Sequence, residues 1–272
     1  MKCKIAVVQF EITQFAVEKN LAKAETFIKQ AAAEKADIIV FPEDFVTGPI
    51  EHKKELADAD HVYRNHFQRL AKEYKIDIIP GSFIEKDDAG LFNTTYYIDS
   101  TGEVLARYRK VNLWLSERGH FIPGHEMPVV QTKFGKIGLT ICWDLMFPEI
   151  FRKMVDQGVE LVFCPAYWCF KDAGEGLKYD KNSEIKLVDA LCVGRAFENE
   201  IALVFCNAAG EFTQGNFSDA VIGHSQITVP FKGAIKKFTH NTEGMFVKTV
   251  DTAILKVAEE SYKVRHDLKN KG

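Results

Sequence analysis

The chain has 272 residues, 46% hydrophobic, 12% aromatic and 27% charged, enough apolar content for a large buried core, which excludes a disordered or fibrous chain. Its 35 Lys and Arg against 38 Asp and Glu leave a formal charge of −3, so no broad cationic surface is available for a nucleic-acid backbone or an anionic membrane. The opening stretch reaches Gln9 and Glu11 too early for a signal-peptide core, and no later apolar run is long enough to span a bilayer. The expectation is therefore a cytoplasmic protein with neither a nucleic-acid nor a membrane partner.

In chain order, apolar runs bounded by turn residues predict strands at Ile5–Phe10, Asp37–Phe41, Ile76–Ile79, Ile137–Ile141, Glu160–Phe163 and Ile201–Phe205. Helix-period segments lie between them at Val17–Glu34, Lys53–Glu73, Pro148–Asp156 with Gly158 as a stop, and Ser183–Glu198. This alternation predicts an α/β fold. Hairpin-like stretches at Phe92–Arg107, turning at Asp99–Gly102, and at Ala220–Thr249 predict mixed rather than purely parallel sheets. No repeat, low-complexity tract or linker divides the sequence, so residues 1–272 read as a single domain.

The usual cofactor signatures are missing: there is no G-x-G-x-x-G, phosphate loop, H-E-x-x-H or C-x-x-C, so no cofactor is expected. Cys164 and Cys169 have no neighbouring His or second Cys pair to complete a metal site. The six cysteines, most of them inside apolar runs, read as reduced core thiols rather than a disulfide framework. The scattered His52, His61, His66 and His125 read as surface residues.

Three polar residues interrupt or end these apolar runs. Glu43 follows directly on Ile38–Phe41 and Pro42, at the strand end where open α/β sheets place their binding crevice. Lys110 ends the run beginning at Val104; by itself it reads better as part of a solvated strand face, and only its company makes it a candidate. Cys142 ends the strand that begins at Gly135 and precedes a helix opened by Pro148-Glu149, and such a strand-to-helix elbow is a seat for a nucleophile. Each has an ordinary alternative, respectively a loop-capping carboxylate, a solvated lysine and an inert core thiol.

Taken together and in order, these segments resemble the nitrilase superfamily, the carbon-nitrogen hydrolases, whose members use a Glu-Lys-Cys triad. The likeness covers nearly the whole chain. It rests on Ile5–Gln9, Phe41-Pro42-Glu43, Tyr108–Val111, Gly138–Asp144 with Phe147-Pro148-Glu149, Pro165-Ala166 with Trp168, Arg195–Asn199, and Asn207 with Gly210. Glu117–Gly124 is similar to the segment carrying the family's second glutamate. Trp143-Asp144 stands between two branches, since many amidases of the family have Tyr-Asp after the cysteine and nitrilases more often Trp-Glu with a longer C-terminal tail.

The resemblance implies a four-layer αββα sandwich with two mixed β-sheets that pairs into a homodimer or larger homo-oligomer. It implies Glu43, Lys110, Cys142 and Glu117 as catalytic residues, and an amidohydrolase acting on a small linear amide or N-carbamoyl compound through a thioester on Cys142. A thiol with a pKa near 8.5 is only about a few per cent thiolate at pH 7, so it needs a base or a cation to react, and Glu43 and Lys110 can fill those roles. Glu117 would keep Lys110 charged. Trp143, Tyr167 and Trp168, with Phe170, suggest aromatic substrate-binding walls, the alternative being core filling. The competing functional readings are a nitrilase, an inactive binding homologue and an acyl transferase using the same thioester.

Overall fold

The computed structural model describes residues 1–270. Two βαβαβ units form its centre. In the first, β1 (Lys2–Gln9), β2 (Ile38–Val40) and β3 (Asp77–Ile79) run parallel, joined by α1 (Val17–Ala33) and α2 (Val62–Tyr74). An antiparallel meander follows, made of β4 (Phe83–Asp87), β5 (Gly90–Ile98) and β6 (Val104–Arg109). The second unit begins with β7 (Val129–Thr132) antiparallel to β8 (Gly135–Leu139). It then runs through α3 (Pro148–Asp156), β9 (Leu161–Ala166), α4 (Ser183–Asn199) and β10 (Ala202–Asn207), with β8, β9 and β10 parallel.

Five further strands follow. The β11 (Glu211–Gln214) and β12 (Phe217–Ala220) pair stands apart as a small hairpin, β13 (Gln226–Val229) and β14 (Gly233–Lys237) extend the second sheet, and β15 (Gly244–Asp251) pairs antiparallel with β1 in the first. The strand orders are β15-β1-β2-β3-β5-β4, with β6 on β5, and β14-β13-β10-β9-β8-β7.

Strand alternation sorts the core into layers. In β1, Ala6 and Val8 join Ala24 and Ile28 of α1 and Phe67 and Leu70 of α2, while Ile5 and Val7 join Ile137, Leu139 and Leu161 of the second sheet. Each fully buried side chain of this kind contributes on the order of 1.5–3 kcal/mol. On the other side of β8, Gly138 meets α3 so closely that an added Cβ would lie 2.5 Å from Met154 Sδ. Helices thus cover both outer faces, giving the αββα sandwich with two mixed sheets. Cys206 stitches the inner layers, its thiol reaching Val8 O at 3.2 Å and Val40 O at 3.4 Å.

The structure departs from the sequence pattern in three places. The Lys53–Glu73 helix is broken, with a short 3-10 turn at Lys54–Leu56 and α2 starting only at Val62. Buried Asp58 causes the break: its backbone pairs with β4, and its carboxylate accepts the N–H groups of Tyr63 and Arg64 at the start of α2. The Ala220–Thr249 stretch divides between the two sheets, β13 and β14 in one and β15 in the other. The chain then continues into α5 (Ala253–Tyr262) and α6 (Val264–Lys269), which the sequence pattern did not predict; Arg265 fastens this end to the carbonyls of Val159 and Glu200 at 2.7 and 2.8 Å. No helix among the described residues is long and apolar enough to cross a membrane.

Candidate active site

The parallel strands of both sheets present their C-terminal ends to one end of the sandwich. Glu43 follows β2, and its N–H donates to Ala166 O at the end of β9, so the two sheets meet at this residue. Gly81 makes room for this turn: its φ is +56°, and a Cβ there would lie 1.9 Å from Pro42 O. Lys110 follows β6 and is buried.

Lys110 Nζ lies 2.8 Å from Glu43 Oε1 and 2.7 Å from Glu117 Oε2, with all three side chains buried. Each carboxylate has further donors. The Tyr167 N–H meets Glu43 Oε2 at 2.9 Å, and the Trp114 N–H meets Glu117 Oε2 at 2.6 Å. Asn93 of β5 bridges them, its Nδ2 donating to Glu43 Oε1 at 2.9 Å and to Glu117 Oε1 at 2.7 Å. Burial pulls the Lys110 ammonium down, but the charges of Glu117 and Glu43 outweigh it and hold the group well above the ordinary lysine value.

Cys142 sits at the start of a 3-10 turn, Cys142–Met146, separated from β8 by Thr140 and Ile141, with φ at +46°. A positive φ at a residue with a side chain is strained and persists only where its surroundings hold it. Asp144 does much of that holding. One of its oxygens accepts from Tyr108 Oη at 2.7 Å and the Ile141 N–H at 3.0 Å; the other accepts the Asn112 N–H at 2.8 Å. From the far side, Arg195 donates to the carbonyls of Leu145 and Met146 at 3.0 and 3.1 Å. Burial pushes the Cys142 thiol up, the Glu43 charge adds to that, and Lys110 opposes it without reversing the direction. These surroundings favour the thiol over the thiolate, so an attack by Sγ calls for a proton acceptor close by.

Glu43, Lys110, Glu117 and Cys142 all line one cavity of about 540 Å³, together with Trp143, Tyr167 and Trp168. Phe170 is not among its lining residues. Trp143 and Tyr167 are half-buried, whereas Trp168 is only 1% exposed and ties its indole N–H to Glu184 at 2.6 Å, so most of its ring serves the core. Of the four histidines read as surface residues, His52 and His125 are exposed and His61 and His66 half-buried. All six cysteines are buried and unpaired.

Sequence reasoning gave no role to Asn93, Tyr108, Asn112, Asp144 or Arg195, although Tyr108, Asp144 and Arg195 fall in the blocks that carry the family resemblance. Asn93 carried one signal, a carboxamide inside the otherwise apolar or hydroxyl-bearing run Phe92–Ile98. Tyr108 is buried and reads locally as a core aromatic; only the fold brings it to Asp144.

The cavity of this αββα sandwich thus brings a buried Glu-Lys-Glu cluster and a strained cysteine together, and comparison with known proteins names the family. The chain belongs to the carbon-nitrogen hydrolases, the nitrilase superfamily, whose family profile matches residues 4–258. It is 31% identical to a probable nitrilase of Schizosaccharomyces pombe, over 96% of this chain and 93% of that protein. It is 28% identical to the 2-oxoglutaramate amidase of Bacillus subtilis, over 99% and 98%. It is 31% identical to the N-carbamoylputrescine amidase of Arabidopsis thaliana, over 92% and 87%. The crystal structure of Saccharomyces cerevisiae Nit3, a member of branch 10 of the superfamily, shares the fold with a TM-score of 0.82 at 22% identity, covering 96% of this chain and 94% of that one.

Proposed function

We propose that this protein is a cysteine-dependent amidohydrolase that cleaves the C–N bond of a small linear amide or N-carbamoyl compound through a thioester on Cys142. The observation that carries this reading is the buried Lys110 ammonium held between Glu43 and Glu117 in the cavity that Cys142 lines. The two amidase relatives support it over a nitrile substrate.

In this mechanism Glu43 takes the Cys142 proton as Sγ bonds to the carbonyl carbon. The carbonyl oxygen becomes an oxyanion, which the Lys110 ammonium and a backbone N–H at the Cys142–Trp143 elbow stabilise. As the C–N bond breaks, Glu43 passes its proton to the leaving nitrogen, which departs as ammonia from an amide or as an amine from a carbamoyl amine. Water then attacks the thioester, giving its proton to Glu43. Collapse restores the carbonyl and expels the Cys142 sulfur, which recovers that proton. The free acid leaves; a carbamate product decomposes to carbon dioxide and ammonia. Glu117 keeps Lys110 charged and oriented throughout.

The relative described as a probable nitrilase, together with Trp143 after the cysteine, favours a second reading. Ammonia and amine release from a panel of aliphatic amides, ω-amides, carbamoyl amines, carbamoyl amino acids and nitriles separates the two. Mass spectrometry after acid quench should find an acyl or carbamoyl adduct on the peptide containing Cys142. A nitrile hydrolysed with higher kcat/KM than every amide and carbamoyl compound, through a nitrogen-retaining thioimidate, would replace the amidase reading.

A further inference from the structure

Lys110 and Cys142 come from different sheets, Lys110 following β6 in the first and Cys142 lying beyond β8 in the second, so their separation is set by whatever joins these two segments. Asp144 is such a joint. Its buried carboxylate accepts four donors, drawn from both sides. From the Lys110 segment come the Tyr108 hydroxyl, two residues before Lys110, on Oδ2 at 2.7 Å, and the backbone and side-chain N–H groups of Asn112, two residues after it, on Oδ1 at 2.8 and 3.0 Å. From the Cys142 segment comes the Ile141 N–H, one residue before the thiol, on Oδ2 at 3.0 Å. The Asp144 N–H returns to Ile141 O at 3.0 Å and closes the first turn of the elbow.

This arrangement does more than hold one strained residue. Glu43 and Glu117 fix Lys110 at the tip of its side chain, while Asp144 fixes the chain on either side of it, so cation and thiol are held in register through one carboxylate. Each feels the other's charge: Lys110 opposes the rise of the Cys142 thiol, and the Cys142 sulfur, once ionised, favours the charged ammonium. Such an interaction weakens with distance, and in a buried site little water screens it. A misplacement of about 1 Å at a reacting centre can cost about a hundredfold in rate. A carboxylate suits this joint because both of its atoms accept. A carboxamide has a single accepting atom, so Asp144→Asn turns an NH2 group toward one of the two sets of donors.

We propose that Asp144 is a positioning residue that sets the distance between the Lys110 ammonium and the Cys142 sulfur, and with it both the readiness of the thiol and the placement of the cation that meets the oxyanion. It is not among the residues lining the cavity, so it acts through Lys110 and Cys142 and not on the substrate. This rests on the reading of Cys142 as the nucleophile and Lys110 as its cation.

Alkylation by iodoacetamide, followed by mass spectrometry of the peptide containing Cys142, reads the thiol without any substrate being turned over. Lys110→Ala should slow it about tenfold or more, because the thiolate loses its cation. Asp144→Asn should slow it by a similar factor, and Tyr108→Phe, which removes one donor and keeps the carboxylate, about threefold or more. In the Lys110→Ala background neither change should slow it further, since the distance they alter no longer has a cation at one end. With the panel compound that the wild type hydrolyses fastest, kcat should fall in both variants while KM stays within about twofold. Tyr108→Phe decides the matter if Asp144→Asn lacks the native far-UV circular dichroism. Alkylation and kcat unchanged in the folded variants, or losses as large in the Lys110→Ala background as in the wild type, would overturn the positioning role and leave Asp144 a residue that only supports the fold. Alkylation of Cys142 no faster in the wild type than in Lys110→Ala would instead refute the pairing of cation and nucleophile, and the positioning role with it.

Discussion

The Asn93 carboxamide nitrogen donates to Glu43 Oε1 at 2.9 Å and, with its second hydrogen, reaches Glu117 Oε1 at 2.7 Å. One amide thus holds apart the two carboxylates that grip Lys110, and both of its N–H groups are used. Asn93→Leu keeps the approximate volume and removes both donors. Hydrogen bonds to charged groups are worth about 1.5–3 kcal/mol, so kcat/KM should fall roughly ten- to a hundredfold. The loss should fall mainly on kcat rather than KM, because the bridge orients the two carboxylates and is not itself among the residues lining the cavity. A loss of stability with kcat unchanged in the folded variant would make Asn93 a packing residue only.

Cys142 should be the one cysteine required for turnover. Cys142→Ala should abolish ammonia release while the far-UV circular dichroism stays native. Cys164→Ser and Cys169→Ser should keep most activity, because neither follows a strand at a left-handed elbow. A turnover assay on the three purified variants checks this, and activity in Cys142→Ala would remove the proposed mechanism.

In the proposed mechanism Lys110→Ala strips the oxyanion of its cation and should cost on the order of a hundredfold or more. Lys110→Arg should not restore the rate, because a planar guanidinium does not fit a site built for a compact ammonium 2.8 and 2.7 Å from two carboxylates. Glu43→Gln keeps the shape but removes the proton acceptor, a loss of about a hundred- to ten-thousandfold. Near wild-type turnover in Glu43→Gln would move the base role to Glu117. Single-turnover measurements distinguish loss of acylation from loss of deacylation.

Gly81→Ala tests the turn that seats Glu43. The added Cβ would collide with a backbone carbonyl at a positive φ, neither of which side-chain rotation relieves. We expect a loss of about 2–4 kcal/mol in urea unfolding and a rate loss larger than partial unfolding explains. A variant as stable and active as wild type would show that the Pro42 turn adjusts freely.

Glu200 gives the fold a pH dependence away from the site. Burial, with a hydrogen bond to and the charge of Glu259, raises its carboxyl from 4.5 to about 7, and the Val264 N–H and Arg265 oppose this only in part. The folded state therefore binds more protons than the unfolded chain between these values. Stability from this group is full below about 4.5, is lost as pH rises to about 7, and is level above that. Glu200→Gln should flatten this part of the curve, measured as urea midpoints between about pH 5 and pH 8.

Much of this protein was legible in its sequence because the information was local. Buried parallel strands read as continuous apolar runs, so β1, β2, β8, β9 and β10 and the helices between them could be found, and Glu43 and Cys142 stood out where a polar group ended such a run. The order of the blocks then identified the family. The tertiary structure decided what depends on distant chain segments. The Lys53–Glu73 helix broke because Asp58 pairs its backbone with a strand 26 residues further on, Ile84. Asn93 became a bridge only when β5 was placed between residues 50 positions before it and 24 after it. Lys110, indistinguishable locally from a solvated strand lysine, is charged and buried because two carboxylates from elsewhere surround it. Periodicity encodes which face of an element is apolar; it does not encode which remote polar group will meet a given side chain, and a buried charge is settled by that partner.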